Sequence, residues 1–236
     1  MFNIKIDASK CTSLVEGLHQ FDKLTYDCFR YSNFSFNSGK IYGIISEYGQ
    51  GCMYLSYLLG GRVEFDNLQI SLNDKNVAKE DLASISWNLE PSKEKYKNER
   101  VKKSIDKSLL ESSREESFDK IAEKFLLTES RYDIRLKQLS GERWRASAAL
   151  GYVKEKKIFY TPYETSDFYY QMLQRGLLKV LRNLTEDGAM VLLATGSDVV
   201  IKHIVDECIY LDREYDFENL KKRYLEMFGE DNWIKE

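Results

Sequence analysis

The sequence predicts an α/β fold, with a mainly parallel β-sheet that carries helices on both faces. Short apolar segments typical of buried parallel strands recur along the chain, at residues 41–45, 158–161 and 190–195. Helical patterns separate these segments, which is the order that gives parallel strands joined by crossover helices. The 236 residues are enough for one such domain with a sizeable core.

The N-terminal part predicts an antiparallel β portion beside this sheet. Phe34 and Phe36 alternate with polar residues, and a turn at residues 37–39 leads into the buried strand 41–45. A further strand and turn follow in RVEFDNLQISLND, residues 62–74.

A glycine loop follows the strand 41–45, in GIISEYGQGCMYL, residues 43–55. Gly43, Gly49 and Gly51 stand in register with a phosphate-binding loop, and residues 53–59 suit a short helix that Gly60 and Gly61 end. Such loops use backbone N–H groups, a lysine and a hydroxyl residue to hold phosphates and magnesium. Cys52 and Met53 occupy the last two positions and can do neither job.

Residues 91–150 predict a helical subdomain, which divides the α/β core into residues 1–90 and 151–236. The stretch 93–117 is densely charged, and Phe118, Ile121 and Phe125 then repeat at helical spacing. The charge suits a solvated helix face, and a surface that docks a partner is the alternative.

The second part of the core predicts one amphipathic helix over residues 168–184 and a last strand over 208–211. A terminal helix follows, and its apolar face indicates packing rather than a membrane anchor. That face consists of Phe217, Leu220, Tyr224 and Phe228.

Composition excludes several classes of function. A formal net charge of −3 gives no electrostatic footprint for nucleic acid. No apolar run approaches the roughly 18–20 residues that cross a bilayer, and the first ten residues lack the features of a signal peptide, so we expect a cytoplasmic protein. The cysteines are expected to be reduced thiols without zinc, because they form no CxxC pair. They are Cys11, Cys28, Cys52 and Cys208.

Three segments, in order, resemble the nucleotide-binding domain of ATP-binding cassette (ABC) transporters, a fold similar to P-loop NTPases. Residues 34–51 resemble the approach to the Walker A loop. Residues 121–159, IAEKFLLTESRYDIRLKQLSGERWRASAALGYVKEKKIF, are similar to the run through the LSGGQ signature to the Walker B strand. Residues 188–198 resemble the strand that carries the switch histidine. The resemblance covers nearly the whole chain.

The resemblance also implies that the catalytic residues are replaced. Counted without gaps from Arg143, the Walker B aspartate falls on Pro162 and the catalytic glutamate on Tyr163. The loop glutamine falls on Glu90, where we expect a carboxylate to repel phosphate, and the switch histidine falls on Gly196. The aspartate of the loop after Walker B falls near Tyr169. The positions thus degenerate are Cys52, Met53, Glu90, Pro162, Tyr163 and Gly196.

The same resemblance limits the expected ligands. Without the lysine, nucleotide binding should weaken by roughly ten- to a hundred-fold, because hydrogen bonds to charged groups contribute roughly 1.5–3 kcal/mol each. We expect weak ATP binding or none, and no magnesium. The residues that could still line a vestigial nucleotide site are Gly49, Gly51, Cys52 and Tyr26, which lies near the family's adenine-stacking aromatic.

One family element survives in part. In LSGE, Ser140, Gly141 and Glu142 keep the signature serine and one glycine, while a second glycine is missing. In the family this segment completes the ATP site of a partner domain, so Ser140 and Gly141 are candidate donors to a partner's nucleotide. The alternative is a plain helix start with Ser140 as N-cap.

These observations predict a pseudo-ATPase: a non-catalytic subunit of an ABC transporter, peripheral on the inner face of the cell membrane. It would couple to a membrane subunit and pair with an intact nucleotide-binding subunit or with itself. One alternative is a slow ATPase that uses Glu164, Asp167 or Glu90 as its carboxylates. Another is a soluble scaffold or immunity-type protein that keeps only the fold.

Overall fold

The computed structural model describes residues 1–9, 14–20, 23–30, 32–47, 50–65, 68–211 and 217–229, and their side chains except at 14–20, 23–30, 93, 217, 219 and 220. In that part of the chain the strands are β1 Asn3–Asp7, β2 Leu14–Gln20, β3 Lys23–Arg30, β4 Phe34–Asn37, β5 Ile41–Ile45, β6 Gln69–Leu72, β7 Lys75–Asn76, β8 Ser86–Asn88, β9 Ile158–Tyr160, β10 Met190–Thr195 and β11 Glu207–Tyr210.

The α-helices in the same part of the chain are α1 Cys52–Leu59, α2 Lys79–Ile85, α3 Val101–Glu111, α4 Phe118–Lys124, α5 Arg143–Val153, α6 Ser166–Leu173, α7 Leu177–Glu186, α8 Asp198–Ile201 and α9 Phe217–Phe228. Short 3-10 helices lie between them at Pro91–Lys93, Lys95–Asn98, Glu129–Arg131 and Leu136–Gln138.

The central sheet is parallel and has the strand order β11-β5-β10-β9-β8. Every residue of β5, β9 and β10 is buried, because helices or a second sheet cover both faces of these strands. An antiparallel sheet of order β4-β1-β6-β7 and the hairpin β2-β3 form the N-terminal β portion. The predicted fold class is confirmed.

Two hydrophobic clusters cover the two faces of the parallel sheet. On one face, Tyr42 and Ile44 of β5 pack with α1 and with residues of the antiparallel sheet. On the other face, Ile41 and Ile45 pack with residues of α3 to α8. Consecutive residues of β5 therefore enter opposite clusters, as the period of two in a strand requires.

The helical segment 91–150 is tied to the parallel sheet by contacts with β8. The ring of Trp87 stacks on Tyr96 with the centroids 4.4 Å apart, and its Nε1 donates to Ser147 Oγ of α5 at 3.1 Å. The predicted subdomain limit at residue 150 falls inside α5. The division into core and subdomain stays a prediction.

The single helix predicted over residues 168–184 is wrong. The chain forms α6 and α7, separated at residues 174–176, because Gly176 has a φ of 82° and adopts the left-handed conformation. The Gly176 N–H donates to the Leu173 carbonyl at 3.0 Å.

The packing face predicted for the terminal helix is also wrong in part. Phe228 of α9 keeps 58% of its surface exposed. Its ring lies 5.0 Å from that of Tyr224, centroid to centroid. The side chains of Phe217 and Leu220 lie outside the described residues.

Candidate functional site

The glycine loop joins β5 to α1, at the carboxyl end of the parallel sheet. Gly51 has a φ of 107°, which glycine adopts without steric cost, and it caps the N-terminus of α1. The Gly51 carbonyl accepts the Leu55 N–H at 2.8 Å. Gly49 lies outside the described residues.

Gly43 belongs to the strand before the loop, as the predicted strand over residues 41–45 requires. Gly43 lies inside β5 and pairs with Leu193 of β10 and Cys208 of β11. A Cβ there would lie 3.3 Å from the Ile201 side chain, so the residue is small because α8 packs on the strand. The loop therefore starts at Ser46.

Ser46 fills the interior of the loop, a role that the sequence did not reveal. Its buried hydroxyl accepts the Cys52 N–H at 3.0 Å and donates to the Glu47 carbonyl at 3.2 Å. The first amide of α1 is thus bound within the chain, at the place where a phosphate-binding loop offers its amides to the ligand.

The side chains of Cys52 and Met53, the last two residues of the predicted loop, face the protein core. Cys52 is 0% exposed and Met53 1%, and both belong to the cluster between α1 and the antiparallel sheet. The Cys52 thiol donates to the Ser46 carbonyl oxygen at 3.7 Å. The loop also carries a carboxylate, Glu47, which is exposed and accepts a hydrogen bond from Gln50 Nε2 at 3.0 Å.

Tyr163 and Gly196 lie against each other beside the loop. A Cβ on Gly196 would lie 2.5 Å from the Tyr163 hydroxyl oxygen and 3.7 Å from the Ser46 carbonyl oxygen. The tyrosine therefore occupies the space that a side chain at position 196 needs. Pro162 is buried just after β9 and brings no polar side chain to the site.

The carboxylate of Glu90 is buried inside the protein. The expectation that it faces a phosphate and repels it is therefore wrong. Its oxygen Oε2 accepts from Arg143 Nη2 at 2.8 Å and from Trp144 Nε1 at 2.9 Å, and Oε1 accepts the Ser92 N–H at 2.8 Å. Burial raises the pKa of Glu90, but the hydrogen bonds from Ser92 and Trp144 and the charge of Arg143 outweigh it and lower the pKa. The carboxylate joins the end of β8 to the first turn of α5.

Glu164 is the carboxylate with the most unusual environment near the carboxyl end of the sheet. Its N–H donates to the Ala194 carbonyl at 3.0 Å and it bridges to Thr195 of β10. Burial and the neighbouring Glu90 raise its pKa to about 7, against the opposing effect of Arg143. Asp167 is exposed in the first turn of α6.

Tyr169 is fully buried and has a structural set of partners. Its hydroxyl donates to the Ala194 carbonyl oxygen at 3.0 Å and lies 2.9 Å from Thr161 Oγ1. Burial raises the pKa of this phenol well above its usual value. The side chain links β9, β10 and α6.

The LSGE segment presents Ser140 to solvent, whereas Glu142 faces the interior. Glu142 is buried and accepts hydrogen bonds from the N–H and the hydroxyl of Thr128, both at 2.8 Å. The N-cap of α5 is Glu142, so the alternative with Ser140 as N-cap is wrong, and the Ser140 carbonyl instead accepts the Arg143 N–H at 3.2 Å. Glu142 is therefore not available to a partner's nucleotide.

Gly141 has a neighbour that sequence reasoning missed. The guanidinium of Arg175 lies beside it, with Nη1 only 1.6 Å from where a Cβ would stand. The two residues are 34 positions apart, and the break between α6 and α7 brings them together. The sequence carries no signal for this contact, because a continuous helix was predicted there.

Other predicted features can be placed only in part. Tyr26 belongs to β3, but its side chain lies outside the described residues, as do the side chains of Cys11 and Cys28. Cys208 is a free thiol of intermediate burial, and Cys52 is buried. Among the described residues, no three histidine, cysteine, aspartate or glutamate side chains are grouped to hold a metal ion. In that same part of the chain, each helix is too short or too polar to cross a bilayer.

No family model and no curated protein matches the sequence. Solved structures do match the fold. One is cbiO1 from Clostridium perfringens, part of the ABC transporter complex cbiONQ, with a TM-score of 0.61 at 15% identity, covering 91% of this chain and 94% of that one. A nucleotide-free ATP-binding cassette from an ABC transporter gives a TM-score of 0.60 at 15% identity, with 100% of both chains covered.

The chain has the fold of an ATP-binding cassette. A third such cassette, from an ABC transporter and in its ADP conformation, gives a TM-score of 0.59 at 14% identity over 89% of this chain and 87% of that one. In this cassette fold, Gly196 lies beside the Tyr163 hydroxyl and the Ser46 carbonyl oxygen, at the loop between β5 and α1.

Proposed function

We propose that this chain is a non-catalytic, pseudo-ATPase subunit of an ABC transporter, which couples to a membrane subunit at the inner face of the cell membrane. The observation that carries the proposal is that groups of the chain itself occupy the space at the loop between β5 and α1, which we call the self-filled loop. The Cys52 amide binds the Ser46 hydroxyl, and Tyr163 lies against Gly196. Phosphoryl transfer depends on positioning and on charge stabilisation by a metal, a lysine and a group that orients water.

The residues at the loop do not fit a magnesium nucleotide. A triphosphate needs donors and positive charge, whereas the loop carries the Glu47 carboxylate and a buried thiol at position 52. Tyr163, Pro162 and Gly196 carry no carboxylate or imidazole. Glu90 is bound to Arg143 and Trp144 of the helical segment. These contacts favour a structural role for the site.

The exposed position of Ser140 supports a second part of the proposal: this chain completes the ATP site of an intact partner cassette. Ser140 is exposed, whereas Glu142 is buried and bound by Thr128. A partner's nucleotide would meet Ser140 and the Gly141 backbone. The helical segment 91–150 would receive the membrane subunit.

Turnover and calorimetry of the purified chain test the proposal. We expect weak ATP binding or none, no dependence on magnesium, and no ATP hydrolysis above the rate of buffer alone. Magnesium-dependent turnover that disappears in Glu164→Gln would overturn it. Detergent extraction of native membranes should recover an integral membrane protein with the chain, and recovery of the chain alone would favour the soluble scaffold.

A slow ATPase is the second candidate, and the environment of Glu164 favours it. A carboxylate with a pKa of about 7 is suited to general base catalysis near neutral pH. Glu164 also lies beside Thr195, at the carboxyl end of β10. Glu90 is less suited, because Arg143 and Trp144 hold both its charge and its position. Turnover by wild type but not by Glu164→Gln separates the two candidates.

A further inference from the structure

Two arginines converge on one carboxylate oxygen next to the LSGE segment. Arg131 Nη1 lies 3.8 Å and Arg145 Nη2 lies 3.5 Å from Glu142 Oε2. Charge-assisted hydrogen bonds are shorter, about 2.7–2.9 Å. The Glu142 oxygens are instead bound at 2.8 Å by the N–H and hydroxyl of Thr128. The guanidinium groups are therefore held near the carboxylate but are not hydrogen-bonded to it.

Arg175 brings a third guanidinium to the same place. It lies against Gly141, next in sequence to Glu142. The pKa of Arg145 is lowered by burial and by the charges of Arg131 and Arg175, with Glu142 acting in the opposite direction. Three guanidinium groups thus lie near one buried carboxylate.

The donors of this cluster are largely unused. Within the described part of the chain, the side chains of Arg131, Arg145 and Arg175 form no hydrogen bond, and Arg145 Nε is buried without a partner. By contrast, Arg114 donates to Tyr152 and Asp187. Each guanidinium has five donors in a fork that suits carboxylate and phosphate. Like charges held together without hydrogen bonds are costly unless an anion joins them.

We propose that Arg131, Arg145 and Arg175 form a binding site for a phosphoryl group beside Ser140 and Gly141. Arg131 is 42% exposed, Arg175 is exposed, and Arg145 is 17% exposed, so the cluster opens to solvent on one side. The site lies within one copy of the chain. It requires no second cassette and is independent of the loop between β5 and α1.

Titration of the purified chain with tripolyphosphate, without magnesium, tests the proposal. The variant Arg131→Gln/Arg175→Gln removes two exposed donors and keeps the partly buried Arg145. Its affinity should fall at least about tenfold, the effect of one lost hydrogen bond to a charged group. The matched control, Arg135→Gln/Lys137→Gln, removes the same charge from exposed neighbours and should bind as wild type does.

A second arm distinguishes the source of the phosphoryl group. Vesicles of phosphatidylcholine with and without phosphatidic acid are offered to the same three proteins. Binding that the arginine variant loses and the control keeps supports the site, and the arm in which it occurs identifies a soluble phosphate or a lipid headgroup. An equal loss in both variants indicates general charge attraction and overturns the proposal. If wild type binds neither tripolyphosphate nor the vesicles with phosphatidic acid, the proposal is also overturned.

Discussion

The contact between Tyr163 and Gly196 gives a quantitative test of the self-filled loop. The change is Gly196→Ala, made in wild type and in Tyr163→Phe. A Cβ at position 196 would lie 2.5 Å from the Tyr163 hydroxyl oxygen but 3.5 Å from its Cζ, which is an ordinary contact distance. Removing the hydroxyl alone should therefore remove the clash and leave the ring in place.

The magnitude follows from two opposing effects. Overpacking of this kind costs about 1–3 kcal/mol. Replacing glycine by alanine also restricts the unfolded chain, which stabilises by about 0.4–1 kcal/mol where the backbone permits it. Gly196 is not one of the glycines with a positive φ, so its backbone conformation permits alanine. Gly196→Ala should thus destabilise wild type by about 1–2 kcal/mol and should be neutral or slightly stabilising in Tyr163→Phe.

Urea-induced unfolding of the four proteins measures this difference. The free energies of unfolding are compared at a constant m-value, and the coupling between the two changes should be about 1–2 kcal/mol. If Gly196→Ala costs the same in both backgrounds, the two residues do not fill one space. The account of the loop as self-filled would then be wrong.

Further predictions concern the buried carboxylates and the helix break. Glu90→Ala should lower the free energy of unfolding by about 3–5 kcal/mol, because Arg143 and Trp144 lose their acceptor, and Glu90→Gln should cost less. Since the folded pKa of Glu90 is lowered, the difference between wild type and Glu90→Gln should be full at neutral pH and shrink as acid protonates the carboxylate, which acid titration of stability would show. The raised pKa of Glu164 has the opposite sign: wild type loses stability as pH rises from about 4.5 to about 7, so Glu164→Gln should be more stable than wild type above pH 7, by on the order of 1–2 kcal/mol, and no different at pH 4. An equal gain at both pH values would contradict this. Gly176→Ala should cost about 1–2 kcal/mol in urea unfolding because its φ is 82° and a Cβ would meet Leu126, and a neutral result would contradict the left-handed break.

Much of the fold could be predicted from local patterns. The limits of β5 and β10 match the predicted strands, because each is a short, continuous apolar run that a parallel sheet buries on both faces. The helix α1 follows its glycine loop for a similar reason, since Gly51 supplies the left-handed residue at its start. Breaks within a helical pattern could not be predicted in the same way. The apolar spacing of α6 continues into α7, and only the conformation of Gly176 separates them.

The candidate site was predicted by position but not by contact. The sequence predicts that Glu90, Tyr163 and Gly196 lie at catalytic positions of the site. It did not predict that Tyr163 lies against Gly196. Nor did it predict that Arg143 neutralises the charge of Glu90 while Trp144 donates a hydrogen bond to it. These pairs are 33 and about 53 residues apart along the chain, and no local pattern relates them.

The sequence by itself determined which chemical groups stand at the loop: the carboxylate of Glu47, the thiol of Cys52 and the thioether of Met53. Residue identity is sufficient for that conclusion, because no arrangement of these groups supplies a cation to phosphate. Only the tertiary structure decided where the remaining groups act. Parallel strands bring their carboxyl ends together, so Ser46, Tyr163 and Gly196 meet although they come from three separate segments. The tertiary structure also places Arg175, in the break before α7, beside Gly141.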